Sequence, residues 1–263
     1  LGQLTGHWHQ ANNSLSQFKP SPYDVWGNSV GDQKCASQDT QLADYAGAET
    51  VPWGVQRIGA WNATIQNAPQ KGRVVVCVID SGLWAEHPEY KTTSGSGNHD
   101  TIDGCKIDAS CPYVWSQDVV GHGTHVSGTI GAPQNGLGVV GVMAKGAEFH
   151  VIRIWNDSGD VSQGQGPYAT DLILAYDHCL AHLEELQKKD KNTKMVINMS
   201  YGSAGPLTVE RLWIKKAAKR GDVLFVGSAG NNGSWYRAAD SSRGQEDPGQ
   251  YFSYPASYNI PEV

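Results

Sequence analysis

A chain of 263 residues is long enough for one large α/β domain with its own core. Its formal charge of -6 and pI near 5.8 argue against a nucleic-acid or anionic-membrane surface, and no apolar run approaches the length of a transmembrane helix. Charged residues make up only 17% while glycines number 31, a balance that suits tight loops between buried elements better than a disordered tail.

Residues 1–50 are polar, rich in Gln, Asn, Ser and Gly, and lack periodicity; they read as an extension or the remnant of a propeptide. Val74-Val75-Val76-Cys77-Val78-Ile79-Asp80 follows, a short apolar run without period-2 alternation that ends on an acid and is broken by Ser81-Gly82. That pattern predicts a strand buried on both faces of a parallel sheet, with Asp80 at the C-terminal end where α/β sheets carry their sites. The plain alternative for Asp80 is a helix cap at a corner. Residues 91–117 are rich in Gly, Ser, Thr and Asp and read as a surface loop.

Gly121-His122-Gly123-Thr124-His125-Val126-Ser127-Gly128-Thr129 predicts a helix that starts at the histidine. Small neighbours leave one imidazole face open, and the positive end of the helix dipole opposes protonation and favours a neutral base. A buried carboxylate on the other ring nitrogen would fix the tautomer. Gly136-Leu137-Gly138-Val139-Val140-Gly141 has the spacing of a dinucleotide-binding loop, but it comes after that helix and not after a strand, which argues against nucleotide binding.

Phe149 to Trp155 reads as a strand. Thr170 to Gln187 reads as a helix with an apolar stripe through Leu172, Ile173, Ala175, Tyr176, Leu180, Leu183 and Leu186. His178 and His182 lie four apart on it, without the Glu of a zinc-binding H-E-x-x-H pattern, and read as surface or half-buried histidines. Met195 to Ser200 is a further buried strand, Glu210 to Arg220 an amphipathic helix with basic residues at its end, and Val223 to Ser228 another core strand. Strand, helix, strand in succession is the doubly wound parallel pattern. The turn Ser228-Ala229-Gly230-Asn231-Asn232-Gly233 offers a side-chain amide able to donate to a developing oxyanion, or else a plain turn asparagine.

Of the five cysteines, Cys105 and Cys111 sit six apart and are placed to close a small loop, Cys77 reads as a free buried thiol in mid-strand, and Cys35 and Cys179 are open as a pair or as free thiols. Five sequons, at Asn12, Asn62, Asn156, Asn198 and Asn232, are compatible with a secretory route, although Asn198 falls on a buried strand.

Three of these motifs occur in a telling order: Val78-Ile79-Asp80-Ser81-Gly82 with His87-Pro88-Glu89, then Gly121-His122-Gly123-Thr124-His125, then Ser228 to Gly233. Over roughly residues 51–260 the chain resembles the subtilisin-like serine proteases. The resemblance implies an α/β fold with a subtilisin-like parallel sheet and helices on both faces, the domain beginning near Val51-Pro52-Trp53-Gly54-Val55 and occupying 51–263. It implies Asp80 and His122 as two members of a catalytic triad and Asn231 as the oxyanion donor. Ser200, Tyr201 and Gly202 would pair with an extended peptide or protein substrate, and Ser228, Ala229 and Gly230 would line the primary pocket.

The stretch 135–141 resembles the loop that wraps calcium in many subtilases, with Glu89 and Asn135 as side-chain ligands and carbonyls of Pro133, Leu137 and Val139; Glu89 stands where an Asp is usual. The family also implies a secreted protein. No Gly-Thr-Ser-x-Ala segment occurs, so the expectation is a domain truncated before its catalytic serine, inactive by itself, the serine lying beyond this chain or on a second chain. The alternative is a non-catalytic relative acting as a binding or assembly module.

Overall fold

The computed structural model describes residues 49–67, 72–90, 102–105, 114–155, 167–203, 205–230 and 253–260. Five strands form one fully parallel sheet in the order β2-β3-β1-β4-β5, where β1 is Val74–Asp80, β2 Ile102–Cys105, β3 Glu148–Arg153, β4 Lys194–Met199 and β5 Val223–Gly227. From β1 the chain steps to the edge at β2, returns inward as β3 beside β1, and then crosses to β4 and β5 on the other side, so the direction of winding reverses next to β1. Ligand crevices of open α/β sheets lie at such reversals, beyond the carboxyl ends of the strands.

Short helices α1 (Trp53–Arg57) and α2 (Ala63–Gln66) lead in, and α3 (His122–Gly131), α4 (Ala169–Gln187) and α5 (Thr208–Ala218) cover the sheet. Register separates its two faces. Val75, Met195 and Val223 align, as do Cys77, Ile197 and Phe225, and this face packs on α4 and α5 through Leu172, Tyr176, Leu183 and Ile214. The opposite face carries Val76 and Val78 of β1 and Phe149 and Val151 of β3 beneath Val126 and Ile130 of α3. Helices therefore lie on both faces, as the sequence implied.

Four differences from the sequence reading have physical causes. Cys77 is not a free thiol: its side chain points to the α4 face and is bonded to Cys179, 102 residues away. That also removes Cys179 as a partner for Cys35, which lies outside the described residues together with Cys111. The segment read as a surface loop over 91–117 contains β2, an edge strand made by pairing with β3 and not by local propensity.

The third difference concerns β5, which is a core strand on one face only. Leu224 and Val226 are 52% and 46% exposed and Asn198 beside them is half-buried, because α3 stops over β1 and β3 and no described residue covers this side of β4 and β5. Fourth, α5 does not simply present a polar face to water, since Glu210 in its first turn is buried. No helix among the described residues is long and apolar enough to cross a membrane. Residues 1–48 of the expected extension, and with them Asn12, lie outside the described residues, as do Asn156 and Asn232.

Candidate active site

Asp80 ends β1 with its side chain fully buried, and His122 opens α3 with its side chain 37% exposed. The two meet: His122 Nδ1 lies 2.8 Å from Asp80 Oδ1, which also accepts the Ser81 N–H at 2.7 Å. Two glycines allow this approach. Gly82, at φ +109, has no room for a Cβ, which would fall 2.3 Å from the Gln117 carbonyl. A Cβ on Gly123 would stand 2.1 Å from the Gly82 carbonyl and 3.1 Å from Asp80 Cβ, so only glycine lets the start of α3 rest on the end of β1.

The N-terminus of α3 is held by side chains that the sequence reading did not single out. Asp118 Oδ1 accepts from Ser81 Oγ at 2.9 Å, Val120 N at 3.2 Å and Gly121 N at 2.8 Å, while Oδ2 accepts from Thr124 N at 2.8 Å and Thr124 Oγ1 at 2.6 Å. Ser81 Oγ in turn accepts the Gly123 N–H at 2.8 Å. The N–H groups of Gly123 and Thr124 in the first turn are thus satisfied, and the loop after β1 is tied to the helix carrying His122. The signal was present as an acid just ahead of a predicted helix start.

Electrostatics modify the expectation of an imidazole kept neutral by the dipole. The hydrogen bond that His122 donates to Asp80, reinforced by the charge of Asp80 and that of Asp118, raises the His122 pKa above its ordinary value despite partial burial. The pair is therefore an imidazole held by a buried carboxylate with one tautomer specified, able to accept a proton at Nε2 and carry the charge.

The other predicted residues fall at the same end of the sheet. Ser200, Tyr201 and Gly202 follow β4, whose Asn198 is in register with Val78 two residues before Asp80. Ser228, Ala229 and Gly230 follow β5, the neighbour of β4. The segments are joined: Ser228 N donates to the Met199 carbonyl at 3.1 Å, and Ser228 Oγ to the Tyr201 carbonyl at 3.1 Å. Asn231 lies outside the described residues.

Glu89 and Asn135 are also brought together. Asn135 Nδ2 donates to the Glu89 carbonyl at 3.3 Å, and its Oδ1 accepts the Leu137 N–H at 2.9 Å. The Glu89 carboxylate is buried against Gly138, where a Cβ would fall 2.5 Å from Oε2; its Oε1 has no hydrogen-bond partner among the described residues. Burial pushes its pKa up to about 8. A buried carboxylate with an oxygen to spare fits a hard cation. Glu49, unforeseen from the sequence, closes the loop by accepting the N–H groups of Asn135 at 2.6 Å and Gly136 at 3.0 Å. The glycine motif 136–141 lies in this loop with neither a strand before it nor a helix after it, and Gly141 is a packing contact against Ala132 and Gly128. His182 stacks on His150 with ring centroids 3.9 Å apart.

The chain is similar to known proteins over most of its length. The subtilase family matches residues 71–261. An intracellular serine protease of Paenibacillus polymyxa is 35% identical over 215 residues, covering 80% of this chain and 53% of that protein. Subtilisin of Bacillus sp. (strain TA39) is 30% identical over 72% of this chain and 41% of its own length, and subtilisin Savinase of Lederbergia lenta 31% identical over 71% and 58%. Among solved structures, the psychrophilic subtilisin-like protease Apa1 of the Antarctic psychrotroph Pseudoalteromonas sp. AS-11 superposes with a TM-score of 0.56 at 31% identity, covering 81% of this chain and 40% of that one. The chain spans about half the length of these curated relatives.

Proposed function

The chain belongs to the subtilase family, and from that premise we propose that residues 51–263 are the larger, N-terminal part of the catalytic domain of a serine endopeptidase, with 1–50 an extension or propeptide remnant. The observation that carries the proposal is the 2.8 Å contact between His122 Nδ1 and Asp80 Oδ1 at the carboxyl end of the central strand. His122 Nε2 takes the proton of a serine hydroxyl as that oxygen attacks the peptide carbonyl, then returns it to the departing amine. Asp80 orients the ring and stabilises its cation, and Asn231 donates to the oxyanion. An extended peptide pairs with 200–202 and sets its side chain against 228–230.

The serine comes from sequence outside these 263 residues, on the continuing chain or on a second one. The side of β4 and β5 that no described residue covers supports this, since Leu224 and Val226, about half exposed, form an apolar surface beside α3 where a further helix would pack, each side chain adding about 1 kcal/mol when the rest of it is covered. Glu89 and Asn135 hold calcium, whose role there is to tie the loop to the start of the domain. The buried Cys77–Cys179 disulfide and exposed Asn62 suit secretion and glycosylation.

The test is to label the longest natural product with a fluorophosphonate, map the adduct by mass spectrometry and assay peptide hydrolysis. A single serine labelled outside Leu1–Val263, with labelling and hydrolysis abolished in His122→Ala, is the expected result. A product that binds peptides and is never labelled is instead the non-catalytic binding module.

A further inference from the structure

Beneath the segment 200–203 lies a buried polar cluster that the triad does not use. Glu210, at 2% exposure, is a carboxylate inside the core. Its Oε1 accepts from Tyr176 Oη of α4 at 2.7 Å, and its Oε2 accepts from Tyr258 Oη at 2.7 Å. Tyr201 Oη is hydrogen-bonded to Tyr176 Oη. With Glu210 ionised, each hydroxyl proton has one use: Tyr201 donates to Tyr176, Tyr176 and Tyr258 donate to the carboxylate, and the Leu207 N–H donates to Tyr258 Oη at 2.9 Å. Burial pushes the carboxyl up and the two tyrosine bonds oppose it. A half-satisfied network of this kind would cost more than an apolar core, so its completeness matters.

A purely structural network would join α4 to α5 and stop there. This one continues through Tyr201 into the cleft edge. The Tyr201 carbonyl holds Ser228 Oγ, Ser203 pairs with Tyr254 in both directions at 2.9 and 3.0 Å, and Ser253 Oγ donates to the Ser228 carbonyl at 3.2 Å. Each wall of the cleft is thus bonded to a residue that Glu210 anchors directly or through one hydroxyl. We propose that Glu210 is a positioning residue of the substrate cleft: through Tyr176 it fixes Tyr201, and with it the edge 200–203 and the wall 228–230 against which an extended peptide lies. This rests on reading those segments as the peptide-binding edge.

The test uses the complete, serine-bearing protein with Tyr201→Phe, Glu210→Ala and Glu210→Gln, assayed on an extended tetrapeptide anilide and on a single-residue p-nitrophenyl ester that does not reach along the edge. For Glu210→Ala, KM for the tetrapeptide should rise about tenfold while its kcat and the ester rates stay within about twofold, and Tyr201→Phe should show the same rise in KM for the tetrapeptide. Glu210→Gln should recover to within about threefold of wild type, because its amide can donate to Tyr258, whose own proton then turns to the Leu207 carbonyl 3.0 Å away. Equal losses on both substrates, or no rise in KM, would overturn the role. If Glu210→Ala does not accumulate folded, Tyr201→Phe decides, since it keeps the ring and removes only the hydroxyl.

Fluorophosphonate labelling of the wild type separates this inference from the proposed activity. Should the wild type resist labelling, fluorescence anisotropy of the same tetrapeptide becomes the readout. An approximately tenfold weaker Kd in Tyr201→Phe upholds the positioning role without the protease, and an unchanged Kd overturns it. A wild type that neither labels nor binds overturns both.

Discussion

Replacing Cys77 and Cys179 together by alanine removes a cross-link between the strand that ends in Asp80 and the helix on the opposite side of its backbone from α3. The two cysteines are separated by 102 residues, and both are fully buried. Closing a loop of about that length restricts the unfolded chain by about 4.7 kcal/mol at 25 °C on the chain-entropy account, and the lost sulfur contacts add about 1 kcal/mol of cavity cost. For a domain of this size each kcal/mol moves Tm by about 2 to 4 °C, so a fall of about 10 °C or more is expected. Scanning calorimetry of wild type and double variant, with peptide mapping to verify the bond in the wild type, measures it directly. Because neither sulfur is reachable in the folded state, dithiothreitol should reduce the wild type only at the rate of unfolding. A fall of less than about 3 °C with the bond mapped, or thiols that appear at once in native protein, would refute the reasoning.

Other perturbations read the site more locally. In the complete, serine-bearing protein proposed above, Asp80→Asn should lower kcat by about 10⁴, the scale of the corresponding carboxylate in subtilisin, with KM little changed; near-normal turnover would remove Asp80 from the mechanism. Gly123→Ala drives a Cβ into the Gly82 carbonyl at 2.1 Å, and should cost about 1 to 3 kcal/mol by chemical denaturation and slow fluorophosphonate labelling; an unchanged labelling rate would contradict the close packing of α3 on β1. With EDTA present, Glu89 holds a proton in the folded state up to about pH 8 that the unfolded chain loses near 4.5, so stability should fall as pH rises through that window and level off above it. Calcium should reverse that trend by binding the ionised form, and Glu89→Gln should abolish both effects; denaturation midpoints indifferent to calcium would exclude the site.

The elements that were legible were those whose signal is local. β1, β3, β4 and β5 each announce themselves as short, largely apolar runs, and their ends shift by only one or two residues, as where Phe149 to Trp155 becomes Glu148–Arg153. The pairing of Asp80 with His122 could be anticipated because the two motifs stand in the order that resembles the subtilisin-like proteases, and the glycines at 82 and 123 leave room for the approach. What stayed hidden is set by neighbours distant in sequence. Ile102–Cys105 becomes a strand only because β3 offers it an edge, and Cys77 finds Cys179 because its side chain points to the α4 side of the sheet. Glu210 looks like a solvated first-turn acid until Tyr176 and Tyr258 converge on it from α4 and from near the chain end. Asp118 escaped notice for the opposite reason: one carboxylate collecting five bonds looks, in one dimension, like any loop acid.

The most direct measurement of the pair on which the proposed chemistry depends is a ¹⁵N NMR titration of the His122 ring in wild type and Asp80→Asn. His122 is predicted to titrate above its ordinary 6.5, with Nδ1 carrying the proton in the neutral form. The contribution of its charged form to stability is accordingly full below about pH 6.5 and lost as pH rises through the folded value. Asp80→Asn should bring the titration down. An imidazole that titrates at its ordinary value in both proteins would contradict the carboxylate–imidazole pair itself.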